Sequence, residues 1–354
     1  MLAAGVSFAA SVLIVVTRRW HGRLSLDSLS GPQKVQRTVV PRIGGVAVFA
    51  GFWAATLAAP PAIRGELAIL GACGLLAFGA GLAEDFTKKV SGTMRMSATL
   101  LAGLLFSLVT GHVVARVEIG FVDHYALAYP WIAIPFTAFA IAGIAHSVNI
   151  IDGFNGLSAG GVVIMLAAFG VVALHAGDSE LAALALLVGA AVAGFLLVNF
   201  PRGPLIMGDG GAYLVGFLLA AVGVMLPQRN PEVSPWIVLV VLGYPVSETL
   251  YSILRKTLRK GYGPGRADKA HLHHLIYRNL RRALRGTTAC RYANPAVGAL
   301  LWGTMAASLV FVSAAPHTRA WALPALVVQA GLYLGSYRAA VLSLRRGHRR
   351  ERKA

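Results

Sequence analysis

A chain of 354 residues with 56% hydrophobic and only 13% charged residues is poorly suited to a water-soluble globule, which carries about a quarter charged residues. It is also far too apolar for a disordered chain. Its formal charge of +18 would suggest nucleic-acid binding in a soluble protein, but in a polytopic membrane protein it marks basic residues gathered on the cytoplasmic side, and no nucleic-acid module is present. A spanning helix needs about 20 mostly apolar residues. In chain order such segments lie at 2–17, 43–60, 67–83, 97–115, 131–148, 158–176, 181–199, 211–227, 236–254, 294–314 and 320–341. The expected fold is therefore an all-α polytopic membrane protein with about eleven transmembrane helices in one domain over 1–354, or ten if the short first segment does not span. Arg18, Arg19 and Arg23 follow the first apolar run instead of preceding it, which argues against a cleaved signal peptide. Cys73 and Cys290, the two cysteines, give no disulfide framework.

Charge orients this map. With the N-terminus outside, the inside loops are 18–42, 84–96, 149–157, 200–210, 255–293 and the tail from Arg338, and they hold 28 of the 32 Lys and Arg residues. Such a bias is the positive-inside signature. The basic stretch 343–354 reads as a cytoplasmic tail anchored at an anionic leaflet.

Among 14 acidic residues, Glu84, Asp85, Asp152, Asp209 and Asp268 fall on the inside face, where acids at a membrane boundary mark a site. In GLAEDFTKKVSG, Glu84 and Asp85 are placed to share a cation or proton, with Lys88 and Lys89 suited to an anionic substrate. In NIIDGFNGLS, the three-residue spacing of Asn149, Asp152 and Asn155 would put them on one face of a helical turn, and the amides match the imide edge of a uracil. In NFPRGPLIMGDGGAYLVGF, Asn199 and Arg202 precede Asp209, a carboxylate set among glycines, which is how Mg²⁺ is commonly held beside substrate phosphates. That glycine-rich turn could also present N–H groups to phosphate. The loop 255–293 carries eleven Lys and Arg residues and the cluster Asp268, His271, His273 and His274, read as donors to phosphate or sugar oxygens in preference to a zinc set. Over 275–285 an amphipathic interfacial helix is expected.

Taken together, VPRIGG at 40–45, AEDFTK at 83–88, NIIDGFNGL at 149–157, GDGG at 208–211 and HLHH at 271–274 resemble the polyprenyl-phosphate N-acetylhexosamine-1-phosphate transferase superfamily, on its bacterial undecaprenyl-phosphate GlcNAc-1-phosphate transferase branch. The resemblance runs over roughly residues 30–280. It implies transfer of a sugar-1-phosphate from a UDP-N-acetylhexosamine to undecaprenyl phosphate with release of UMP, dependent on Mg²⁺ (or Mn²⁺), at the cytoplasmic face of the bacterial inner membrane. It further implies Asp209 as metal ligand with Asn149 as second contact, Glu84–Asp85 in the place of a paired-aspartate motif followed by Lys88, Asn155 and Asn199 at uridine, and His271, His273 and His274 at diphosphate or sugar. Dimers occur among relatives. Glu84 departs from the pattern, where Asp is usual.

The expected reaction is direct attack by the lipid phosphate. A phosphate monoester has its second pKa near 6, so Asp85 and Glu84 should matter for placement more than as bases. The alternatives are the phospho-N-acetylmuramoyl-pentapeptide transferase activity and, from another class, a transporter or flippase for an anionic lipid or nucleotide sugar. The latter is disfavoured because its site would sit near the bilayer midplane, whereas the spans here are read as clean of charge.

Overall fold

The computed structural model describes residues 1–27, 38–258, 269–314 and 319–351, with side chains through Arg346. The helices are α1 Leu2–Val16, α2 Arg18–Ser25, α3 Gly44–Ala58, α4 Pro61–Thr87, α5 Gly92–Thr110, the single turn α6 Gly120–Val122, α7 Pro130–Ile151, α8 Leu157–His175, α9 Ser179–Asn199, α10 Gly208–Arg229, α11 Pro235–Val241, α12 Gly243–Thr257, α13 Leu272–Ala283, α14 Ala293–Ala314 and α15 Arg319–Glu351. Each of the eleven apolar segments is helical over most of its length. Among the described residues eight helices are long and apolar enough to cross a membrane, and ten crossings result if each of two bent pairs counts as one. The apolar α3 is shorter than these. The chain is a multi-pass membrane protein, and no strand occurs among its described residues beyond the Leu26–Pro41 bridge.

Two segments depart from the straight spans expected. The first apolar run bends by 87° into α2, and 236–254 breaks at Leu242 into α11 and α12, which meet at 81°. Pro245 explains the second break, because it has no N–H for the Val241 carbonyl and its ring crowds the preceding turn. Freed carbonyls at membrane depth must find partners. Gln329 of α15 supplies one, its Nε2 donating to the Val240 carbonyl at 3.0 Å and to Ser308 Oγ at 2.6 Å. The expected span 97–115 ends early, at the left-handed Gly111, and an extended stretch follows.

At the centre stands α10, with every residue from Gly208 to Leu226 buried. It packs against α4, α7 and α3. Glycines set these approaches: a Cβ at Gly45 would lie 2.3 Å from the Gly211 nitrogen, and one at Gly81 2.5 Å from the Asp209 carbonyl carbon. A smaller core of Ile151, Phe154, Leu157, Tyr244, Leu272 and Leu275 is completed by residues of α14 and α15. It fixes α13 against the end of α7. That helix fulfils the amphipathic helix expected near 275–285, starting three residues earlier because His271 is its N-cap.

At the opposite end of α10, Arg229 bonds Asp178 at 2.7 Å and Glu66 at 2.8 Å, tying together the starts of α4 and α9.

Candidate active site

The VPRIGG segment is placed by backbone pairing. The Arg42 N–H donates to the Ser25 carbonyl at 2.8 Å, and the Gly44 and Gly45 N–H groups donate to the Ile206 and Met207 carbonyls at 2.9 and 2.8 Å. This sets Arg42 between two acids. Its Nε lies 3.1 Å from Asp85 Oδ1, a second nitrogen donates to Asp209 Oδ1, and Asp27 is 3.8 Å away. From the first turn of α5, Arg95 donates to the other Asp209 oxygen, Oδ2. Asn149, in the last turn of α7, adds its Nδ2 to Asp209 Oδ1 at 3.2 Å and accepts from the Tyr213 hydroxyl at 3.4 Å. Four helix ends thus meet on one carboxylate, which is 5% exposed.

The paired acids do not converge. Successive helical residues point about 100° apart, so Glu84 turns to the Val90 N–H at 2.8 Å, closing the bend after α4. Asp85 faces α10, its Oδ1 and Oδ2 each 2.9 Å from the N–H groups of Asp209 and Gly210. It therefore caps the first turn of α10 from another helix. The glycine-rich turn, expected to offer those N–H groups to phosphate, gives them to Asp85 instead.

Asn149, Asp152 and Asn155 do not share a helical face either, because α7 ends at Ile151. Asp152 pairs with the Ser158 hydroxyl. Burial pushes its carboxyl up to about 6, against the pull of Ser158 and of Arg42. The Asn155 N–H donates to Asn294 Oδ1 and its Nδ2 to the Pro201 carbonyl, both at 2.9 Å. Asn199 accepts from the Gly156 N–H at 2.6 Å and donates to the Leu205 carbonyl at 2.7 Å, so its amide ties two loops together. Gly156 takes a left-handed φ of 75°, and its carbonyl accepts from Trp302 Nε1 at 3.0 Å. Lys88, which has a left-handed φ of 56°, and Arg202 carry exposed side chains.

The three histidines are buried. Phe154 lies edge-on to His273 and His274, with ring centres 5.5 and 5.2 Å away. This joins their cluster to the loop holding Asp152 and Asn155. Burial, then His274 and His271, hold His273 well below the usual imidazole range and so neutral. Asp268 lies outside the described residues. Glu248 of α12 organises the cluster: Oε1 is 2.9 Å from His271 Nδ1, and Oε2 accepts from the Leu272 N–H at 3.1 Å. Glu248 is 1% exposed and lies within 236–254, so the reading of the spans as clean of charge is corrected here. Glu248→Ala leaves a buried ring nitrogen and a helix N-terminal N–H unpartnered. The expected cost is about 2 kcal/mol, seen as a lower melting midpoint in detergent, while Glu248→Gln, whose amide oxygen still accepts from Leu272, keeps most of it.

Beside this site runs a groove of about 860 Å³, almost wholly apolar, between α7, α10, the broken pair α11–α12 and the stretch around Val113–Ile119. It reaches Ser147, two residues before Asn149.

No group of three or more His, Cys, Asp or Glu residues among those described is arranged to hold a metal ion unaided. Mg²⁺ typically needs only one or two carboxylates beside substrate phosphates and water. Asp209 is such a carboxylate and Asn149 carries an amide oxygen beside it, although in this structure Arg42, Arg95 and Tyr213 occupy those oxygens.

Comparison with known proteins bears on this arrangement. Residues 67–227 match the model of glycosyl transferase family 4, which takes in Asp85, Arg95, Asn149 and Asp209. That region belongs to glycosyl transferase family 4. Over 284 residues the chain is 27% identical to a Bacillus subtilis protein named probable undecaprenyl-phosphate N-acetylglucosaminyl 1-phosphate transferase, covering 78% of each. It is 27% identical over 276 residues to the undecaprenyl-phosphate alpha-N-acetylglucosaminyl 1-phosphate transferase of Yersinia pestis, covering 75% of this chain and 73% of that one. It is also 29% identical over 268 residues to the phospho-N-acetylmuramoyl-pentapeptide-transferase of Streptococcus uberis, covering 71% and 75%. The family 4 region ends at Pro227, so Glu248 and the histidines lie beyond it.

Sequence reasoning passed over Arg42, Arg95, Tyr213, Glu248 and Asn294. Arg42 stands inside a quoted motif but was counted only as an inside charge, as was Arg95. Glu248, a lone acid within an apolar segment, was the most readable of these signals.

Proposed function

We propose that this chain transfers an N-acetylhexosamine-1-phosphate group from a UDP-sugar to undecaprenyl phosphate, releasing UMP. The reaction runs at the cytoplasmic face of a bacterial cytoplasmic membrane, with the N-terminus outside. The observation that carries this reading is Asp209 held by Arg42, Arg95 and Asn149, beside an apolar groove that reaches Ser147 two residues before Asn149. A water-borne diphosphate and a membrane-borne phosphate can both reach such a place. GlcNAc is the preferred donor sugar, supported by the HLHH cluster and by the Bacillus and Yersinia relatives; the Streptococcus relative supports the muramoyl-pentapeptide alternative.

In this reading the groove takes the isoprene chain. Bound Mg²⁺, held by Asp209 and Asn149, would supply charge neutralisation at the donor's diphosphate. Arg42 and Arg95 present fixed cations to the phosphates, preorganised by the packing of α3 and α5 against α10. The lipid phosphate, mostly dianionic at pH 7, needs no strong base. Its oxygen attacks the β-phosphorus, the bond from that phosphorus to the bridging oxygen breaks, and UMP leaves with the bridging oxygen. Asp85, engaged by two N–H groups and Arg42, holds the turn that carries Asp209. Glu248 sets the orientation of His271 at the sugar-phosphate side.

The test is UMP release by purified protein given undecaprenyl phosphate, Mg²⁺ and a panel of UDP-N-acetylhexosamines. UMP from one sugar, abolished by EDTA, is the expected result. Folded protein that binds a UDP-sugar but releases no UMP from any of them would overturn it in favour of the transporter.

A further inference from the structure

One buried titratable side chain beside the site has no part in this scheme. His146, on α7 one turn before Asn149, has its Nε2 sealed from water with no hydrogen-bond partner. A buried polar atom left unpaired costs free energy and calls for an explanation. The ring packs on Tyr213 with centres 4.7 Å apart, and the Arg95 guanidinium lies 6.0 Å from the centre of the same tyrosine ring. Arg95 in turn bonds Asp209. His146 is thus joined to the central carboxylate through Tyr213 and Arg95.

Its place on α7 says what it faces. Phe139 and Gly143 line the apolar groove, and seven residues make nearly two full helical turns, so His146 continues the Phe139 row toward the site. On the opposite wall, Ala220 lines the groove and Tyr213 stands seven residues before it on α10. Neither His146 nor Tyr213 lines the groove itself, which reaches the neighbouring Ser147; the pair stands next to that end of it, against Arg95. The amide contacts of Asn155, Asn199 and Asn294 gather the loop after α7, the end of α9 and the start of α14.

We propose that His146 Nε2 binds the phosphate monoester of the lipid acceptor, donating a hydrogen bond to one of its oxygens where the isoprene chain gives way to the charged headgroup. This rests on the transferase reading for the identity of the lipid. The pairing itself is a matter of binding and is measured without turnover.

The experiment compares wild-type protein, His146→Phe, which keeps a ring against Tyr213 but has no nitrogen, and His146→Gln, which keeps a donor. Affinities for undecaprenyl phosphate, undecaprenol and UDP-GlcNAc are read by native mass spectrometry in detergent, with thermal melting as the folding check. For His146→Phe we expect about a tenfold loss of affinity for undecaprenyl phosphate, with undecaprenol and UDP-GlcNAc changed by less than about twofold and partial recovery in His146→Gln. Equal loss for the phosphate and the alcohol would make His146 part of the groove wall only and overturn the proposal. A loss confined to UDP-GlcNAc, or no loss, would overturn it as well. If His146→Phe does not fold, His146→Leu is read against the same outcomes. Absence of UMP release by wild-type protein would sink the transferase reading while leaving the preference for phosphate over alcohol to decide the role of His146.

Discussion

Replacing Asp209 by Asn is expected to lower UMP release on the order of a thousandfold while leaving the protein folded. Asn has the shape of Asp but no charge to hold Arg42, Arg95 and a divalent ion around one point, and loss of a single preorganised electrostatic contact commonly costs a hundred- to a thousandfold. The fold survives because the two arginine side chains are 22% and 21% exposed and reach water. The start of α10 is still capped by Asp85. Asp85→Asn is the informative partner. One of its two N–H acceptors becomes an NH₂ group facing another donor, so this variant should lose about 1–3 kcal/mol of stability. Melting curves and UMP release measured on both proteins separate the roles. An Asp209→Asn protein that turns over near the wild-type rate would remove Asp209 from the chemistry.

The second large effect is steric. Gly81→Ala places a Cβ 2.5 Å from both the Asp209 carbonyl carbon and the Gly210 nitrogen, and neither backbone can move aside as a side-chain tip could. Overpacking of this kind costs about 1–3 kcal/mol or more. Here the displaced atoms carry the central carboxylate, so UMP release should fall at least about a hundredfold as α4 and α10 are pushed apart. Two residues earlier on the same helix, a Cβ at Gly79 meets nothing within 4 Å. Gly79→Ala should therefore match wild type in both melting and turnover. Equal behaviour of the two alanine variants would refute the close-crossing account.

That contrast shows where the sequence was readable. Acids are scarce in an apolar chain, and each one near a membrane boundary needs a reason, so Asp85, Asp152 and Asp209 stood out and the structure brings the first and last into contact through the start of α10. The length of each apolar run located every candidate span. Partnership was not legible. Nothing in EDF says that Glu84 will bond the Val90 N–H while its neighbour caps α10, because the outcome depends on a crossing angle set by glycines far away in the chain. Arg42 and Arg95 were absorbed into a charge count that fixes orientation but is blind to which basic residues turn inward. Glu248 was missed for a different reason: a segment judged apolar on average hides one acid, although a single buried carboxylate outweighs many leucines in what it says about a site. The break at Leu242 had a visible cause in Pro245, yet a proline within an apolar run reads equally well as a mild kink until the 81° bend is seen.

The last helix bears on how the molecule comes into being. Gln329 caps the broken helix at Val240, and the Ala340 and Leu344 carbonyls accept from Asn279 at 3.0 Å and Arg282 at 3.3 Å on α13. Helix α13 is thus fastened at its start by earlier residues, Phe154, Tyr244 and Glu248, and along its length by residues synthesised after it. During biogenesis the carboxylate half of the site can assemble from α3, α4, α5, α7 and α10 while the ribosome is still translating. The helix carrying the histidines gains its remaining fastenings when the final span inserts. A truncated chain ending before Arg319 would keep the acidic centre and the Glu248 contact to His271 but lose the fastenings of Asn279 and Arg282, leaving α13 held at its start alone.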